Sequence, residues 1–251
     1  MLEHRWNHGA SASFSDGLEL SRGKYVVYVD SDDIVSERYL MVLYQAAEKT
    51  GADIVQAGYQ THPESQEEGK VFAWTQKPVF LPDTLQGRVN TFLPLRIHLA
   101  QWCKIFRRAF LDEHRLSFFD VPVAPDVSFH FKCVLTAKKY LVLPDILYHY
   151  RVHPGSVDSV RGIERAERYT IAIARILEEF STWVKQEPLF EDIQVQRQLR
   201  EVLYIFCVHQ LRDLAKTCGV NKVYDCCKKQ LALEPHGALL DAMLYHAISM
   251  K

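Results

Sequence analysis

Several features that define other protein classes are missing from this sequence. It has no run of about 18 consecutive apolar residues, so we expect no transmembrane helix. Its first residues contain no apolar segment of the kind that forms the core of a signal peptide. The 30 basic and 31 acidic residues give a formal net charge of −1, which does not indicate a nucleic-acid partner. We therefore expect a cytoplasmic protein that does not bind nucleic acid.

The spacing of cysteines in zinc sites is also missing. The six cysteines include no Cys-x-x-Cys pair, and in a cytoplasmic protein we expect reduced thiols, several of them buried as small apolar side chains. No internal repeat or low-complexity segment is visible. With 251 residues, 48% of them hydrophobic, the chain is long enough for one α/β domain or for a smaller domain with an appendage.

The most informative segment is an apolar run that ends in carboxylates. Residues 25–29 are valine and tyrosine, which is typical of a buried strand, and Asp30, Asp32 and Asp33 follow directly. Ligands of open α/β sheets bind beyond the carboxyl ends of the strands. Carboxylates there could hold Mg²⁺ or Mn²⁺, and the ion could bind a diphosphate. The alternative is that Asp32 and Asp33 only begin the next helix.

Helices and short strands alternate up to about residue 157. We predict helices over 10–22, 36–50, 82–90, 107–114 and 125–138, and strands over 24–30, 51–59, 70–74, 101–106, 141–143 and 146–150. From residue 162 onward, apolar residues recur at helical spacing, which predicts three or four amphipathic helices. We therefore divide the chain into an α/β region, residues 1–157, and a helical C-terminal region, residues 158–251.

The order of these motifs resembles that of family 2 glycosyltransferases of the GT-A type. In that family, an Asn/Gly-Gly entry precedes a small-residue helix, a Gly-x-Tyr element, an apolar strand and Asp-x-Asp-Asp. The matching residues here are Asn7, Gly9, Ser11-Ala12, Gly17, Gly23-Lys24-Tyr25 and Asp30-Ser31-Asp32-Asp33. The resemblance implies a GT-A-like, mostly parallel sheet flanked by helices over residues 7–157. It also implies that Asp30 and its neighbours Asp32 and Asp33 bind the metal, and that Asp30 contacts the donor diphosphate.

Three further motifs match the family. Asp126 stands in an Asp-x-x-Phe element, where the resemblance implies a catalytic base, although Pro125 replaces the usual preceding acid. The alternative is an aspartate that only stabilises a helix start. Trp102 and Lys104 match Trp-x-Lys and could stack on a sugar and approach a phosphate, or be a core tryptophan and a solvated lysine. Arg151, in the closing segment over residues 148–157, could reach the diphosphate.

Departures from the family pattern are equally clear. The strand, Pro-x-Tyr-Asn loop, helix and Asp-Asp-Gly-Ser strand that open the family domain have no counterpart here, and Phe14-Ser15 replaces the usual Arg-Asn pair. We therefore expect an N-terminally truncated domain with weak transfer activity. Without strands from the front half, the strand over 24–30 would expose an unpaired edge. We expect self-association there, or cover by the helical tail.

The function that the resemblance implies is transfer of a sugar from a nucleotide-diphosphate-sugar donor to a hydroxyl group of a glycan or lipid-linked acceptor. The transfer would invert the anomeric centre, depend on Mn²⁺ or Mg²⁺, and serve surface polysaccharide synthesis, with peripheral association at the inner face of the membrane. The alternative is a degenerate relative that acts as a non-catalytic binding or scaffold protein.

Overall fold

The computed structural model describes residues 9–63, 68–92, 99–152, 162–187, 190–231, 243 and 245–249. The chain divides into two compact units, residues 1–118 with 129–156 and residues 119–128 with 157–251. The predicted boundary between residues 157 and 158 lies next to this division. Segment 119–128 is the part of the predicted first region that belongs to the second unit.

The first unit contains the strands, and the ends of several elements differ from those predicted. Its helices are α1 (Gly9–Leu20), α2 (Tyr39–Thr50), α3 (Leu85–Phe92), α4 (Arg108–Glu113) and most of α5 (Pro125–Thr136). Its strands are β1 (Tyr25–Val27), β2 (Ile34–Val35), β3 (Ile54–Pro63), β4 (Val71–Phe72), β5 (Val79–Phe80), β6 (Lys104–Arg107) and β7 (Tyr140–Val152). The two strands predicted over 141–143 and 146–150 are therefore one long strand, β7.

The sheet has the order β1-β6-β3-β7-β2, with β4 added to β3 and β5 to β7. Strands β3 and β7 are parallel, and every other pairing among the described residues is antiparallel. The sheet is thus mixed, which corrects the prediction of a mostly parallel one. Parallel neighbours need a long crossover connection. Strand β4 follows β3 in the chain and pairs with it, and this pair is antiparallel. Strand β6 lies between β1 and β3 and is antiparallel to both.

Strand β1 lies at one end of the strand order. Its three residues pair with β6, with Val26 opposite Phe106, and the described residues place no strand on its other side. Val26 is buried, whereas Val29, just beyond the strand, is 45% exposed. The strand predicted over 24–30 is therefore limited to residues 25–27. It lies at one end of the strand order and is followed by a turn.

Helix α2 packs the core onto one face of the sheet. Tyr39, Leu43 and Ala47 recur along one face of the helix, are almost completely buried, and belong to one cluster with Val55 of β3. The helix ends at Gly51, whose φ of 64° is left-handed and whose N–H donates to the Ala47 carbonyl over 2.8 Å. This ending directs the chain straight back into β3.

A buried carboxylate joins three parts of the sheet. Asp53, just before β3, accepts hydrogen bonds from the guanidinium of Arg107 and from the backbone N–H groups of Lys138 (2.9 Å) and Lys139 (3.0 Å). The Asp53 side chain is only 6% exposed, so these partners compensate for its lost hydration. The contacts fix β6 and the start of β7 beside β3.

The second unit is helical, as predicted. Helices α6 (Gly162–Gln186), α7 (Ile193–Cys218) and α8 (Val220–Leu231) contact one another, and residues 245–249 form a further helical segment. Asp192 caps α7 by accepting a hydrogen bond from the N–H of Gln194 over 2.8 Å. Within the described residues, no helix is both long and apolar enough to cross a membrane. All six cysteines are buried free thiols, as expected.

Candidate active site: an acidic turn held by the last strand

The three predicted metal-site aspartates lie in one tight turn between β1 and β2. The N–H of Asp33 donates to the carbonyl of Asp30 over 3.1 Å, which closes a four-residue turn. Asp30, Asp32 and Asp33 are all half-buried. The three carboxylates therefore belong to one turn or its immediate end. Contacts with β7 hold this turn in place.

Strand β7 fixes this acidic turn through two residues. The hydroxyl of Tyr148 accepts a hydrogen bond from the N–H of Asp30 (3.1 Å) and donates one to the carboxylate of Asp33 (2.7 Å). The N–H of Arg151 donates to the other Asp33 oxygen over 2.8 Å, and its guanidinium donates to the carbonyl of Asp32. Both oxygens of Asp33 are therefore occupied in holding the turn.

The electrostatics of this contact keep the tyrosine a donor. Burial, together with the hydrogen bond to Asp33, raises the pKa of Tyr148 far above its ordinary value, so the hydroxyl stays protonated. Burial also raises the pKa of Asp33, while the hydrogen bonds from Arg151 and Tyr148 oppose that rise. The Tyr148 hydroxyl is thus held as the donor to Asp33.

Trp102 supports this tyrosine from within the core. Its ring stacks on Tyr148 (centroids 4.6 Å apart, planes at 15°) and on Tyr150 (5.5 Å, 9°), and it meets Tyr59 edge-on at 4.8 Å. Trp102 is only 7% exposed. Trp102 is therefore a core residue that positions Tyr148. This is the alternative to the hypothesis that Trp102 stacks on a sugar.

Lys104 is also inside the core, which neither sequence interpretation anticipated. It lies in β6 opposite Gln56 and is completely buried. Its ammonium group donates to the carbonyl of Ala100 and lies 3.9 Å from the sulfur of Cys103. Burial raises the pKa of the Cys103 thiol to about 11, although the Lys104 charge opposes this. Lys104 is thus neither solvated nor exposed toward a phosphate.

Asp126 occupies the first turn of α5 and is half-buried. Ala124, two residues earlier, has a φ of 52°, and the N–H of Val127 donates to its carbonyl over 3.2 Å. The positive end of the helix dipole stabilises the ionised carboxylate at this position. Asp126 belongs to the second unit and the acidic turn to the first.

Phe129, the last residue of the Asp-x-x-Phe element, is completely buried in the first unit, where it stacks on Phe118 at 4.2 Å.

Two features of the first unit are not predicted from the sequence. Tyr148 has no functional role in the sequence-based hypotheses, although a buried tyrosine usually needs a partner for its hydroxyl, and an acidic turn can supply one. His62 of β3 and His149 of β7 lie side by side, with ring nitrogens 2.9 Å apart. Burial of its ring lowers the pKa of His149, and the neighbouring His62 lowers it further. This pair forms only because β3 and β7 are parallel neighbours, which the sequence did not reveal.

The donor set of the acidic turn fits a hard divalent cation. Within the part of the chain that the structure describes, no three His, Cys, Asp or Glu side chains are grouped to hold an ion together. Mg²⁺ is usually bound through one or two carboxylates together with substrate phosphates and water. Asp30 and Asp32 supply carboxylates of this kind, and Asp33, which Tyr148 and Arg151 contact, holds the turn in place.

The fold is that of the GT-A glycosyltransferases. The structure of S. aureus TarS 1-349 in complex with UDP-GlcNAc matches with a TM-score of 0.56 and 18% identity, over 94% of this chain and 66% of that one. The complex of the same protein with UDP matches with a TM-score of 0.56 over 96% and 67%. At this identity the likeness shows the fold alone.

The sequence is similar to that of family 2 glycosyltransferases. Residues 1–115 match the model of glycosyl transferase family 2. It is 27% identical to EpsH of Bacillus subtilis over 158 residues, 61% of this chain and 45% of EpsH. It is 21% identical to the poly(ribitol-phosphate) beta-N-acetylglucosaminyltransferase TarP of Staphylococcus aureus over 76% of this chain and 55% of TarP. The chain thus spans about half the length of these relatives.

Proposed function

We propose that this chain acts as a glycosyltransferase that moves a sugar from a nucleotide-diphosphate donor to a hydroxyl group of a glycan or lipid-linked acceptor. The observation that carries the proposal is the acidic turn, whose backbone and third carboxylate are held by Tyr148 and Arg151. The match of residues 1–115 to the model of family 2 supports the reaction class. The UDP-GlcNAc complex of TarS and the polymer named for TarP support a nucleotide-sugar donor and a role in polysaccharide synthesis.

The residues of the turn have separate duties in this proposal. Asp30 and Asp32 would hold Mg²⁺ or Mn²⁺ beside the donor diphosphate, and Asp33 would keep the turn in shape. The bound ion would neutralise the charge that develops on the leaving diphosphate. Arg151 is exposed and already contacts the turn, so its cation lies close to where the diphosphate would bind.

Asp126 is the proposed base. Its carboxylate would take the proton of the acceptor hydroxyl while that oxygen forms the new bond to the anomeric carbon and the bond to the diphosphate breaks. A single displacement of this kind inverts the anomeric centre. Ionisation of Asp126 is favoured by its position in the first turn of α5, which supports a base that is ready to accept a proton.

Donor binding and transfer test the two halves of the proposal separately. We expect Mn²⁺-dependent binding of UDP in calorimetry with the 251-residue chain, and its loss in Asp32→Asn. We expect Asp126→Asn to bind UDP normally and to lose the sugar transfer that the unaltered chain retains. Asp112→Asn, on the exposed side of α4, is the control for removing a surface carboxylate. If neither the chain nor its variants bind UDP with Mn²⁺, the non-catalytic alternative is favoured.

A further inference from the structure

The helical unit contains a large cleft that the proposed transfer reaction does not use. It has a volume of about 770 Å³ and is lined by α6, by α7 and by Met243 and His246. This volume lies in the range of small-molecule sites in proteins, roughly 300–1,000 Å³. The cleft is therefore large enough to hold a ligand with a long chain.

The cleft differs in character from one end to the other. On α6, Leu177, Ser181 and Lys185 line it at intervals of four residues and so form one stripe along the helix. The short connection between α6 and α7 makes these two helices antiparallel neighbours. Lys185, near the end of α6, therefore lies toward the same end of the cleft as Arg197 and Arg200, near the start of α7.

The opposite end is mostly apolar, although Tyr204 and His246, hydrogen-bonded to each other over 3.2 Å, also line the cleft. Leu177 is eight residues before Lys185, which is about 12 Å along a helix that rises roughly 1.5 Å per residue. Leu203 and Ile205 of α7, with Met243, complete this apolar end, and Ile205 is 41% exposed. An exposed isoleucine inside a cleft can be covered by an apolar ligand.

The described residues that line the cationic end carry more positive than negative charge. Among them, Lys185, Arg197 and Arg200 accompany one carboxylate, Glu201, whose oxygen lies 3.6 Å from the Arg197 guanidinium. Both side chains of this pair are largely exposed, so the pair contributes little stability and can open. Arginine and lysine are the side chains that bind phosphate groups, arginine through parallel hydrogen bonds.

We propose that this cleft binds a membrane lipid, with the alkyl chain along the apolar end and the phosphate head group against Lys185, Arg197 and Arg200. A free phosphate would meet exposed cations only, which salt screens strongly. A neutral alkyl ligand would leave those cations unused. A lipid with an anionic head uses both ends, and it would attach the protein peripherally to a membrane, since within the described residues no helix can span one.

Binding of soluble amphiphiles to the full chain tests the proposal directly. In calorimetry below the micelle concentration, we expect one molecule of decyl phosphate to bind each chain, and inorganic phosphate and decyl maltoside to bind far more weakly. The double variant Arg197→Gln/Arg200→Gln should weaken decyl phosphate at least about tenfold, the change expected when one charge-assisted contact is lost. Ser181→Phe should block the apolar path, and Lys222→Gln, an exposed cation on α8 outside the cleft, should bind normally.

Vesicle flotation distinguishes a membrane lipid from other occupants. We expect the chain to float with phosphatidylcholine vesicles only when they contain phosphatidylglycerol, and the double arginine variant to remain unbound. Inorganic phosphate that competes as strongly as decyl phosphate would overturn the proposal in favour of a free anion site. Equal binding of decyl maltoside would overturn it in favour of an apolar pocket. A dimer in sedimentation that does not bind decyl phosphate would overturn it in favour of a self-association surface.

Discussion

Replacing Tyr148 by phenylalanine should loosen the acidic turn while keeping the aromatic core. The ring stack on Trp102 remains, but the hydroxyl that accepts from the N–H of Asp30 and donates to Asp33 is lost. The side chain of Tyr148 is completely buried, so phenylalanine leaves two partly buried polar groups without this partner. The substitution therefore separates the positioning of the turn from packing.

The size of the effect follows from the two hydrogen bonds. A bond to a charged group contributes about 1.5–3 kcal/mol and a neutral one about 0.5–1.5 kcal/mol, so we expect a loss of roughly 2–4 kcal/mol in the free energy of unfolding. The pKa of Asp33 should rise further, because one of the hydrogen bonds that lowers it is removed. Losing such outer contacts of metal ligands typically costs about 10–100-fold in affinity, and we expect the affinity for Mn²⁺ with UDP to fall by that order.

Urea unfolding and calorimetric titration of Mn²⁺ with UDP measure these two effects. Tyr39→Phe is the matched control, since Tyr39 is equally buried but donates only to the carbonyl of Lys104, over 3.4 Å. We expect that control to lose at most about 1.5 kcal/mol and no affinity. If Tyr148→Phe loses stability but keeps its full affinity, the turn does not depend on Tyr148, and the reasoning is refuted.

Three further predictions concern the stability of the first unit. Asp53→Ala should lower the free energy of unfolding by about 2–5 kcal/mol, because two backbone N–H groups and the partly exposed Arg107 cation lose their partner. Asp112→Ala, which removes an exposed ion pair, should cost about 0–1 kcal/mol, and urea unfolding checks both. Gly51→Ala should cost about 1 kcal/mol by thermal unfolding because its φ of 64° is left-handed, while Gly17→Ala, inside α1, should be neutral or stabilising. The pKa of His149 is lowered in the fold, so its contribution to stability is present above the ordinary value of 6.5 and is lost as the pH falls below it. Between pH 7.5 and pH 5, the free energy of unfolding should therefore decrease less in His149→Asn than in the unaltered chain. An equal decrease in both would contradict this.

The helices and the acidic turn could be predicted because their signals are local. The helix predicted over 36–50 overlaps α2, the helical unit shows clear periodicity, and the aspartates directly follow an apolar run. The family motifs add their order along the chain. These features depend on residues that are close in sequence, so a single sequence predicts them.

The direction of the strands and the roles of individual side chains could not be predicted in the same way. Trp102 and Lys104 match family motifs, but their burial is decided by β3 and β7, which are distant in the sequence. Likewise, the hydroxyl of Tyr148 reaches Asp33 across 115 residues. A motif identifies a residue type at a position, whereas the contacts of that residue depend on which strands become neighbours.

The parallel pairing of β3 and β7 has a consequence for synthesis of the chain. The hydroxyl of Tyr140 in β7 donates a hydrogen bond to Gln56 in β3, a residue 84 positions earlier. One side of β3 therefore has no partner strand until the intervening chain has been synthesised. At about 5–20 residues per second, that interval lasts roughly 4–17 s. During this time the apolar start of β3, with Ile54 and Val55, lacks its β7 neighbour. Contacts between distant residues also form slowly, while the helical unit needs mainly pairings between successive helices. We therefore expect the nascent sheet to stay open longer during synthesis than the helical unit.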